Sequence, residues 1–308
     1  MINYHHTTYS QGSSWRLYYN HYVPEKQPVK ATMLIVHGMK EHSGRYQALA
    51  EYLVQHGVAV ITYDHVGHGN SVENEYQLGF FRNIDPHKLL VEHADEMADK
   101  LSSLHLNVPH YILGHSMGSF ITRLLLQKSH SKFSGAIIVG TGGKNIAAQL
   151  TKPLFGLLNK VSPTKVSTFI NETFDKMNNV RFKNEPGASS TSWLSFDRSN
   201  RESFDKDPFC GVPFSNNGFY ALITLNTLAT ERDWAKSIAY EFPMLFISGE
   251  DDPIGDFGKG IRRTVLYLIN DGFKNISYKL YPKMRHEILN ESINKDIYDN
   301  IVNWIESI

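Results

Sequence analysis

The residues with the clearest chemical potential are the five at positions 114–118, whose sequence is GHSMG. A serine between two glycines at this spacing is typical of a nucleophile elbow, a tight turn between a strand and a helix that presents the hydroxyl above the sheet edge. The turn holds the serine in a strained backbone conformation, so flanking glycines keep Cβ atoms away from the neighbouring strand and helix. The pattern also fits an ordinary turn, and its interpretation depends on the elements around it.

A serine hydroxyl is a poor nucleophile at neutral pH and needs a general base, for which histidine is the usual residue. In a fold built on such an elbow, the chain order is serine, acid, histidine. Of the fifteen histidines, only His130 and His286 come after Ser116. His130 falls at the far end of the helix predicted after the elbow, so we expect His286, in the loop after the last predicted strand, to be the base.

The acid is expected just after the strand that ends at Ser248, because catalytic groups gather at the carboxyl ends of parallel strands. Four acidic residues lie there: Glu250, Asp251, Asp252 and Asp256. Asp252 is preferred because it precedes Pro253 and lies three residues beyond Gly249, which leaves room for a turn to aim it inward. Asp251 is the close competitor, and an acidic loop tip that faces solvent is the alternative to both.

An oxyanion hole needs two backbone N–H groups aimed at the charge that develops on the substrate. One is expected from Met117, the residue after the nucleophile. The other is expected from Met39, which follows the His-Gly turn after the first buried strand. Losing one such donor typically costs about 3 kcal/mol of transition-state stabilisation.

The remaining histidine and cysteine patterns do not indicate a metal or a cofactor. His65 and His68 form an H-x-x-H pattern without the further ligands of a metal site, and we predict a loop that hydrogen-bonds beneath the active site. The single cysteine, Cys210, is expected to be a buried cap residue rather than a second nucleophile. The sequence therefore predicts a site without metal or cofactor.

Alternating strands and helices are predicted to position these residues. Apolar runs predict buried strands at residues 31–36, 58–63, 108–113, 135–140 and 243–248, followed by a strand at 276–281. The polar and apolar alternation of residues 15–23 predicts an edge strand. Helical spacing predicts helices at residues 46–55, 88–104, 119–127, 258–269 and 292–308. The pattern indicates a doubly wound α/β fold.

The alternation stops between residues 141 and 235. A helical stripe covers residues 147–161, and residues 171–217 are rich in loop formers and phenylalanine. A structureless loop of this length is improbable inside a compact core. We therefore predict a core formed by residues 1–140 and 236–308, with a cap inserted at 141–235.

Five stretches together resemble the monoacylglycerol lipase and lysophospholipase branch of the α/β-hydrolase superfamily: residues 37–46, 63–71, 114–118, 249–253 and the loop of His286. The most specific is HGMKEHSGRY at 37–46. The resemblance implies an α/β-hydrolase fold, with a mostly parallel central sheet and helices on both faces. It also implies a triad of Ser116, Asp252 and His286. Met39 and Met117 would be the oxyanion donors, although Met39 stands where animal monoacylglycerol lipases carry alanine.

Composition and resemblance together limit the expected function. Lys and Arg equal Asp and Glu at 31 each, so no net field draws the chain to nucleic acid. We expect a carboxylic ester hydrolase that takes a small lipid-like or ester substrate through an acyl-enzyme. We also expect transient membrane-surface contact through the cap, for which packing on the core is the alternative. The lack of a signal-peptide pattern in residues 1–8 and the single cysteine predict a cytoplasmic location.

Two other functions remain open at this level. A proline-iminopeptidase-like peptidase uses the same fold and triad and needs acidic cap residues, for which Glu172, Asp175 and Glu185 are the candidates. A non-catalytic binding module on the same scaffold is the other alternative, although such modules commonly lose a triad member.

Overall fold

A single eight-stranded sheet organises the residues that the computed structural model describes, which are 1–10, 15–81 and 84–308. The strands are β1 (Ile2–Tyr9), β2 (Arg16–Val23), β3 (Ala31–Val36), β4 (Val58–Tyr63), β5 (His110–His115), β6 (Gly135–Val139), β7 (Met244–Gly249) and β8 (Ile276–Tyr281). Their spatial order is β1-β2-β4-β3-β5-β6-β7-β8. Strands β3 to β8 are parallel, whereas β2 pairs antiparallel with both β1 and β4.

Helices cover both faces of this sheet. They are α1 (Gln47–Gln55), α2 (Pro86–Leu104), α3 (Met117–Ser129), α4 (Ile146–Val161), α5 (Thr168–Asn178), α6 (Arg198–Lys206), α7 (Asn216–Ala229), α8 (Lys259–Asn270) and α9 (Lys295–Glu306). Because side chains alternate along a strand, Met33 and Ile35 pack towards α1 and α9, whereas Leu34 and Val36 pack towards α2, α3 and α8. This arrangement confirms the predicted fold class.

The prediction of an edge strand at residues 15–23 is wrong in one respect. The strand exists as β2, but β1 lies outside it and pairs with it from Ile2 opposite Val23 to Tyr9 opposite Arg16. The sequence of β1 is mostly polar, and its described side chains are largely exposed. A strand at the sheet edge that buries little apolar surface lacks the alternation by which strands are recognised in sequence.

Between β6 and β7 the chain forms α4 to α7, where the sequence predicts the cap. Residues 171–217, whose sequence is rich in loop formers, contain most of α5, all of α6 and the start of α7. Side chains at their N-termini begin these helices: Ser167 accepts from the N–H of Ile170, and Asp197 from that of Ser199. We call residues 141–235 the cap segment, and their boundaries stay a prediction. In the described part of the chain, no helix has the length and apolarity needed to cross a membrane.

Candidate active site

Ser116 lies in the turn between β5 and α3 with a backbone φ of 54° and ψ of −119°. A Cβ at Gly114 would lie 2.4 Å from the carbonyl oxygen of Gly118, and one at Gly118 would lie 2.0 Å from that of Val36. No side chain fits at either position, because both neighbours are backbone atoms. The two glycines of the motif therefore let the turn pass between β3 and α3, as a nucleophile elbow requires.

The structure brings together the three residues predicted for the triad. His286 Nε2 lies 2.8 Å from Ser116 Oγ, and His286 Nδ1 lies 3.0 Å from both carboxylate oxygens of Asp252. All three side chains are buried, and Asp252 is fully so. His130 lies at the other end of α3, about 20 Å along a 13-residue helix from the turn, and its ring contacts Phe242.

Asp252 is the acid that the structure places against His286. Asp251 is exposed, and its backbone N–H donates to Met284. Asp252 accepts hydrogen bonds from the Ser248 hydroxyl (2.8 Å) and the Ile254 backbone N–H (2.9 Å). Burial alone would raise the pKa of Asp252, but His286 and these two donors outweigh it and lower the pKa below its usual value. The carboxylate is thus held ionised beside the imidazole.

The loop after β3 lies directly against the elbow. A Cβ at Gly38 would lie 3.0 Å from the Cβ of Ser116, so the two backbones are close. The N–H of Gly38 donates to Glu41 Oε1 at 2.6 Å, which leaves Met39 as the next N–H along the loop. Met117 is the first residue of α3, where backbone N–H groups have no acceptor within the helix. Their assignment as oxyanion donors stays a prediction.

Three buried histidines support this loop. His37 Nδ1 donates to the carbonyl of Gly38 (2.7 Å), and His37 Nε2 accepts from the backbone N–H of His65 (3.0 Å). His65 Nε2 donates to the carbonyl of His37 (3.0 Å), and the rings of His37 and His68 are in edge contact. The H-x-x-H pattern is thus part of a hydrogen-bonded loop beneath the site.

Burial lowers the pKa of all three histidines, to about 3 for His65 and about 4 for His68. Between these values and the unfolded value of 6.5, the native state binds fewer protons than the unfolded chain. We therefore expect the free energy of unfolding to fall as the pH drops from 6.5 to about 4, by about 1.4 kcal/mol per pH unit for each histidine. Urea unfolding at pH 7.0, about 5.5 and about 4.5 measures this fall.

Some groups work in the opposite direction. Burial would lower the pKa of His115, but Glu41 raises it, so His115 gains protons on folding. Burial also raises the pKa of Asp64, Asp175 and Glu291. A net fall is still expected, because the pKa is lowered in seven described histidines, the three above and His21, His87, His105 and His110. His68→Phe, which keeps an aromatic ring between Phe81 and Phe214, should make the fall shallower. A stability that is flat or rising down to pH 5 in the unmodified chain contradicts the prediction.

A charged network that the sequence did not single out lies beneath the triad. His115 Nδ1 lies 3.0 Å from Glu41 Oε1, which also accepts from the Tyr46 hydroxyl at 2.8 Å. His115 Nε2 donates to the backbone carbonyl of His286 at 3.2 Å. Burial alone would raise the pKa of Glu41, but His115 and Arg45 have the larger effect and lower this pKa to about 2. Glu41 lies inside the motif at 37–46 and His115 inside the motif at 114–118. These motifs are the sequence signal that could have identified the pair.

A cavity of about 280 Å³ opens onto Ser116 and His286. Its apolar walls come mainly from the cap segment: Phe174, Trp193, Leu194 and Phe204. The Trp193 ring packs on the His286 ring with centroids 5.1 Å apart. Lys40 and Asp175 also line the cavity, with Lys40 Nζ 3.5 Å from Asp175 Oδ2. The site is thus a mostly buried nucleophile and base under an aromatic wall, and Glu41, Asp205 and Glu287 add charged side chains to the lining.

Among the described residues, His42, Asp207 and Cys210 form a group of potential metal ligands within 4.8 Å of one another. His42 Nε2 donates to Asp207 Oδ2 at 2.9 Å, and His42 Nδ1 accepts from the backbone N–H of Gly44 at 3.2 Å. A histidine that binds a metal through one nitrogen keeps a proton on the other, which here would face an N–H donor. Burial also raises the pKa of Cys210, which is partly buried where the sequence predicts a buried cap residue. The group does not fit a metal.

Several known proteins are similar to this chain in sequence or fold. A family model described as Hydrolase_4, serine aminopeptidase S33, matches residues 27–293. The monoacylglycerol lipase of Mycolicibacterium smegmatis is 25% identical over 298 residues, covering 95% of this chain and 93% of that protein. The monoglyceride lipase of Mus musculus is 25% identical over 295 residues, covering 94% and 86%. A carboxyl esterase structure from Bacillus coagulans superposes with a TM-score of 0.91 at 25% identity, covering 100% and 99%.

Proposed function

Because the chain belongs to the Hydrolase_4 family of α/β-hydrolases, we propose that it is a serine hydrolase that cleaves carboxylic esters of hydrophobic acyl chains, of the monoacylglycerol or lysophospholipid type. The observation that carries the proposal is the 2.8 Å contact between His286 Nε2 and Ser116 Oγ at the base of a cavity with aromatic walls. A serine with a histidine at this distance has the geometry of an activated nucleophile.

The proposed reaction is a two-step acyl transfer. Ser116 Oγ attacks the ester carbonyl while His286 takes its proton, and Asp252 fixes the imidazole tautomer and stabilises the imidazolium. The backbone N–H groups of Met39 and Met117 bind the oxyanion. The alcohol leaves with the proton from His286. A water molecule then attacks the acyl-enzyme by the same route and releases the fatty acid.

The cavity walls and the similar proteins support the substrate class. Phe174, Trp193, Leu194 and Phe204 offer apolar surface to an acyl chain beside Ser116. The similar proteins of Mycolicibacterium smegmatis and Mus musculus are monoacylglycerol and monoglyceride lipases. A long-chain monoester fits this combination.

The peptidase alternative needs an acidic residue free to bind a substrate amine. Of its three candidates, Glu172 pairs with Lys176 at 2.8 Å on an exposed helix face, and Glu185 pairs with Arg285. Asp175 does line the cavity, but Lys40 lies 3.5 Å from it and adds a cation to the same wall. This pairing disfavours an ammonium group at Asp175. Asp205 also lines the cavity and accepts from the Thr191 hydroxyl at 3.2 Å, so it is the carboxylate that a substrate amine would meet in the peptidase alternative.

A substrate panel tests the proposal. We expect fluorophosphonate to label Ser116 and the chain to cleave monoacylglycerols or lysophospholipids in preference to aminoacyl amides. Short aryl esters serve as a control, because their hydrolysis needs the triad but not binding of a long acyl chain. Preferred cleavage of aminoacyl amides would establish the peptidase, and an unlabelled, inactive chain would establish the binding module.

We further propose that the cap segment contacts an anionic membrane surface through α4. An exposed apolar ridge runs along this helix, formed by Ile146, Leu150, Leu154, Leu157 and Val161. Residues 141–171 contain four lysines and no acidic residue. An apolar ridge flanked by cations only is typical of a helix that lies in a lipid interface. The following helix, α5, carries exposed Phe169 outside and Phe174 in the cavity wall, which would link the interface to the site.

The double variant Leu150→Gln, Leu157→Gln is expected to bind anionic vesicles more weakly, by about tenfold for each leucine, because each loses apolar burial in the interface. Sedimentation with vesicles of phosphatidylglycerol and phosphatidylcholine measures the binding, and pure phosphatidylcholine vesicles should bind less. Leu266→Gln is a matched control, since Leu266 is a 57% exposed leucine on α8. Equal losses in both variants would contradict the proposal.

A further inference from the structure

The loop that carries His286 is bound on both sides by one stretch of the cap segment. We define the histidine loop as residues 285–291 and the cap stretch as residues 192–200. Arg285, Glu287 and Glu291 of the histidine loop are almost fully buried, at 2 to 4% exposure. Their polar atoms make hydrogen bonds to the cap stretch, as described below.

Arg285, immediately before His286, binds backbone carbonyls of the cap stretch. Its Nη1 donates to the carbonyl of Ser192 at 2.5 Å and to that of Ser195 at 3.4 Å. Its Nη2 binds Glu185, and its guanidinium stacks over the Phe182 ring at 4.1 Å. A buried arginine with charge-assisted bonds fixes the two chain segments that it joins.

The residues after His286 continue the same contact. The backbone N–H of Glu287 donates to the carbonyl of Leu194 at 2.7 Å, and the Glu287 carboxylate accepts from Asn200 at 2.9 Å. Glu291 accepts three bonds from the cap stretch: the Ser195 hydroxyl at 2.7 Å and the backbone N–H groups of Phe196 at 2.9 Å and Asp197 at 3.0 Å.

Between these anchors, His286 itself is enclosed. Trp193 of the cap stretch packs on one side of its ring, and Asp252 and Ser116 bind its two nitrogens. The core holds its backbone carbonyl through His115 at 3.2 Å. The cap stretch thus contacts the chain before and after His286, where Arg45 of the core also binds the Glu287 carboxylate at 2.9 Å. The core supplies the contacts at the two ring nitrogens.

We propose that Arg285 and Glu291 are positioning residues, which bind the cap stretch and thereby hold His286 at hydrogen-bond distance from Ser116. The cap stretch is then a fixed wall of the site and not part of a moving lid. This inference rests on the proposed function, because it assigns a role in the same acyl transfer. The cap segment would then have two parts with different roles. The cap stretch would be needed for every substrate, whereas α4 and α5 would face the lipid.

The test compares a short soluble ester with a long-chain ester. A lid that only covers the acyl chain would affect hydrolysis of the long-chain ester and not that of the short one. Arg285→Met and Glu291→Gln are expected to lower kcat on both esters by about 10- to 100-fold, since a displacement of the base by about 1 Å has this effect. KM should change by less than about threefold. Titration with fluorophosphonate counts the folded sites, so kcat is expressed per titrated serine even where a variant folds poorly.

A spectroscopic readout separates positioning from loss of structure. The proton that His286 Nδ1 donates to Asp252 is expected to give a far-downfield resonance in one-dimensional proton NMR, and this resonance should broaden or shift in Arg285→Met. Arg285→Lys, which keeps the charge, should recover part of kcat. The matched control is Arg198→Met, an exposed arginine of the same stretch that pairs with Glu202 on its own helix, and it should behave as the unmodified chain.

Two results would overturn the inference: a kcat on the short ester within about twofold of the unmodified value in both variants, or an unchanged downfield resonance. Either would make the cap stretch a substrate wall only. Failure of the proposed function is distinguishable, because the unmodified chain would then either take up no fluorophosphonate at Ser116 or cleave aminoacyl amides in preference to both esters.

Discussion

Ser116→Ala is expected to lower kcat for ester hydrolysis by about 10⁶-fold and to abolish labelling by fluorophosphonate. Without Oγ no acyl-enzyme forms, and His286 has only water left to activate. The backbone of residue 116 keeps its φ of 54°, which alanine tolerates no worse than serine, so the fold should be unaffected. Steady-state hydrolysis of a short aryl ester measures the loss, and mass spectrometry measures the labelling.

The control for this variant is a serine at the far end of α3, the helix that follows Ser116. Ser129, the last residue of α3, is buried like Ser116 but lies thirteen residues further along the chain. Ser129→Ala should leave kcat within about twofold of the unmodified value. Both variants should unfold at similar urea concentrations. A Ser116→Ala protein that still hydrolyses esters, or is labelled at another residue, would move the nucleophile elsewhere.

The parts of the fold that sequence predicts well are those with a local physical signature. Strands β3, β4, β6 and β7 are buried on both faces and read as continuous apolar runs, and the elbow is marked by two glycines that no larger residue can replace. Strand β1 and helix α6 lack such a signature because both are largely polar. Ladder bonds to β2 form β1, and an Asp197 cap begins α6. The pairing with β2 is not visible in a local pattern, and the Asp197 cap signals a helix start only when an apolar period follows it, which the polar sequence of α6 lacks.

The candidate site also has residues that the sequence could predict and contacts that it could not. Chain order left two histidines after Ser116, and the position of His130 at the far end of the predicted helix then left His286. A short strand-end loop limited the acid to a few neighbours. The contacts of Arg285 and Glu291 with the cap stretch join segments about 90 residues apart. Such pairings depend on how the cap segment folds over the core, and polar residues in a loop give no sign of it.

The acid residue gives the second large effect. Asp252→Asn is expected to lower kcat by about 10⁴-fold. The carboxylate accepts the proton of His286 Nδ1, which leaves Nε2 free to take the proton of Ser116. An amide whose NH₂ faces Nδ1 donates instead, so the imidazole proton moves to Nε2 and points at the serine. The base then has no lone pair where it is needed, although the site keeps its shape. Hydrolysis of a short aryl ester measures the loss.

Asp251→Asn is the matched control, since it makes the same isosteric change one residue earlier on an exposed side chain. It should leave kcat within about twofold of the unmodified value, because residue 251 meets the site only through its backbone bond to Met284. In the proposed mechanism the buried Asp252 carboxylate, whose pKa is lowered, is the charge that stabilises the imidazolium. The reverse order of effects would shift the acid by one residue and imply a different turn after β7. Equal, small effects would mean that His286 keeps its working tautomer without a carboxylate, contrary to the geometry at Nδ1.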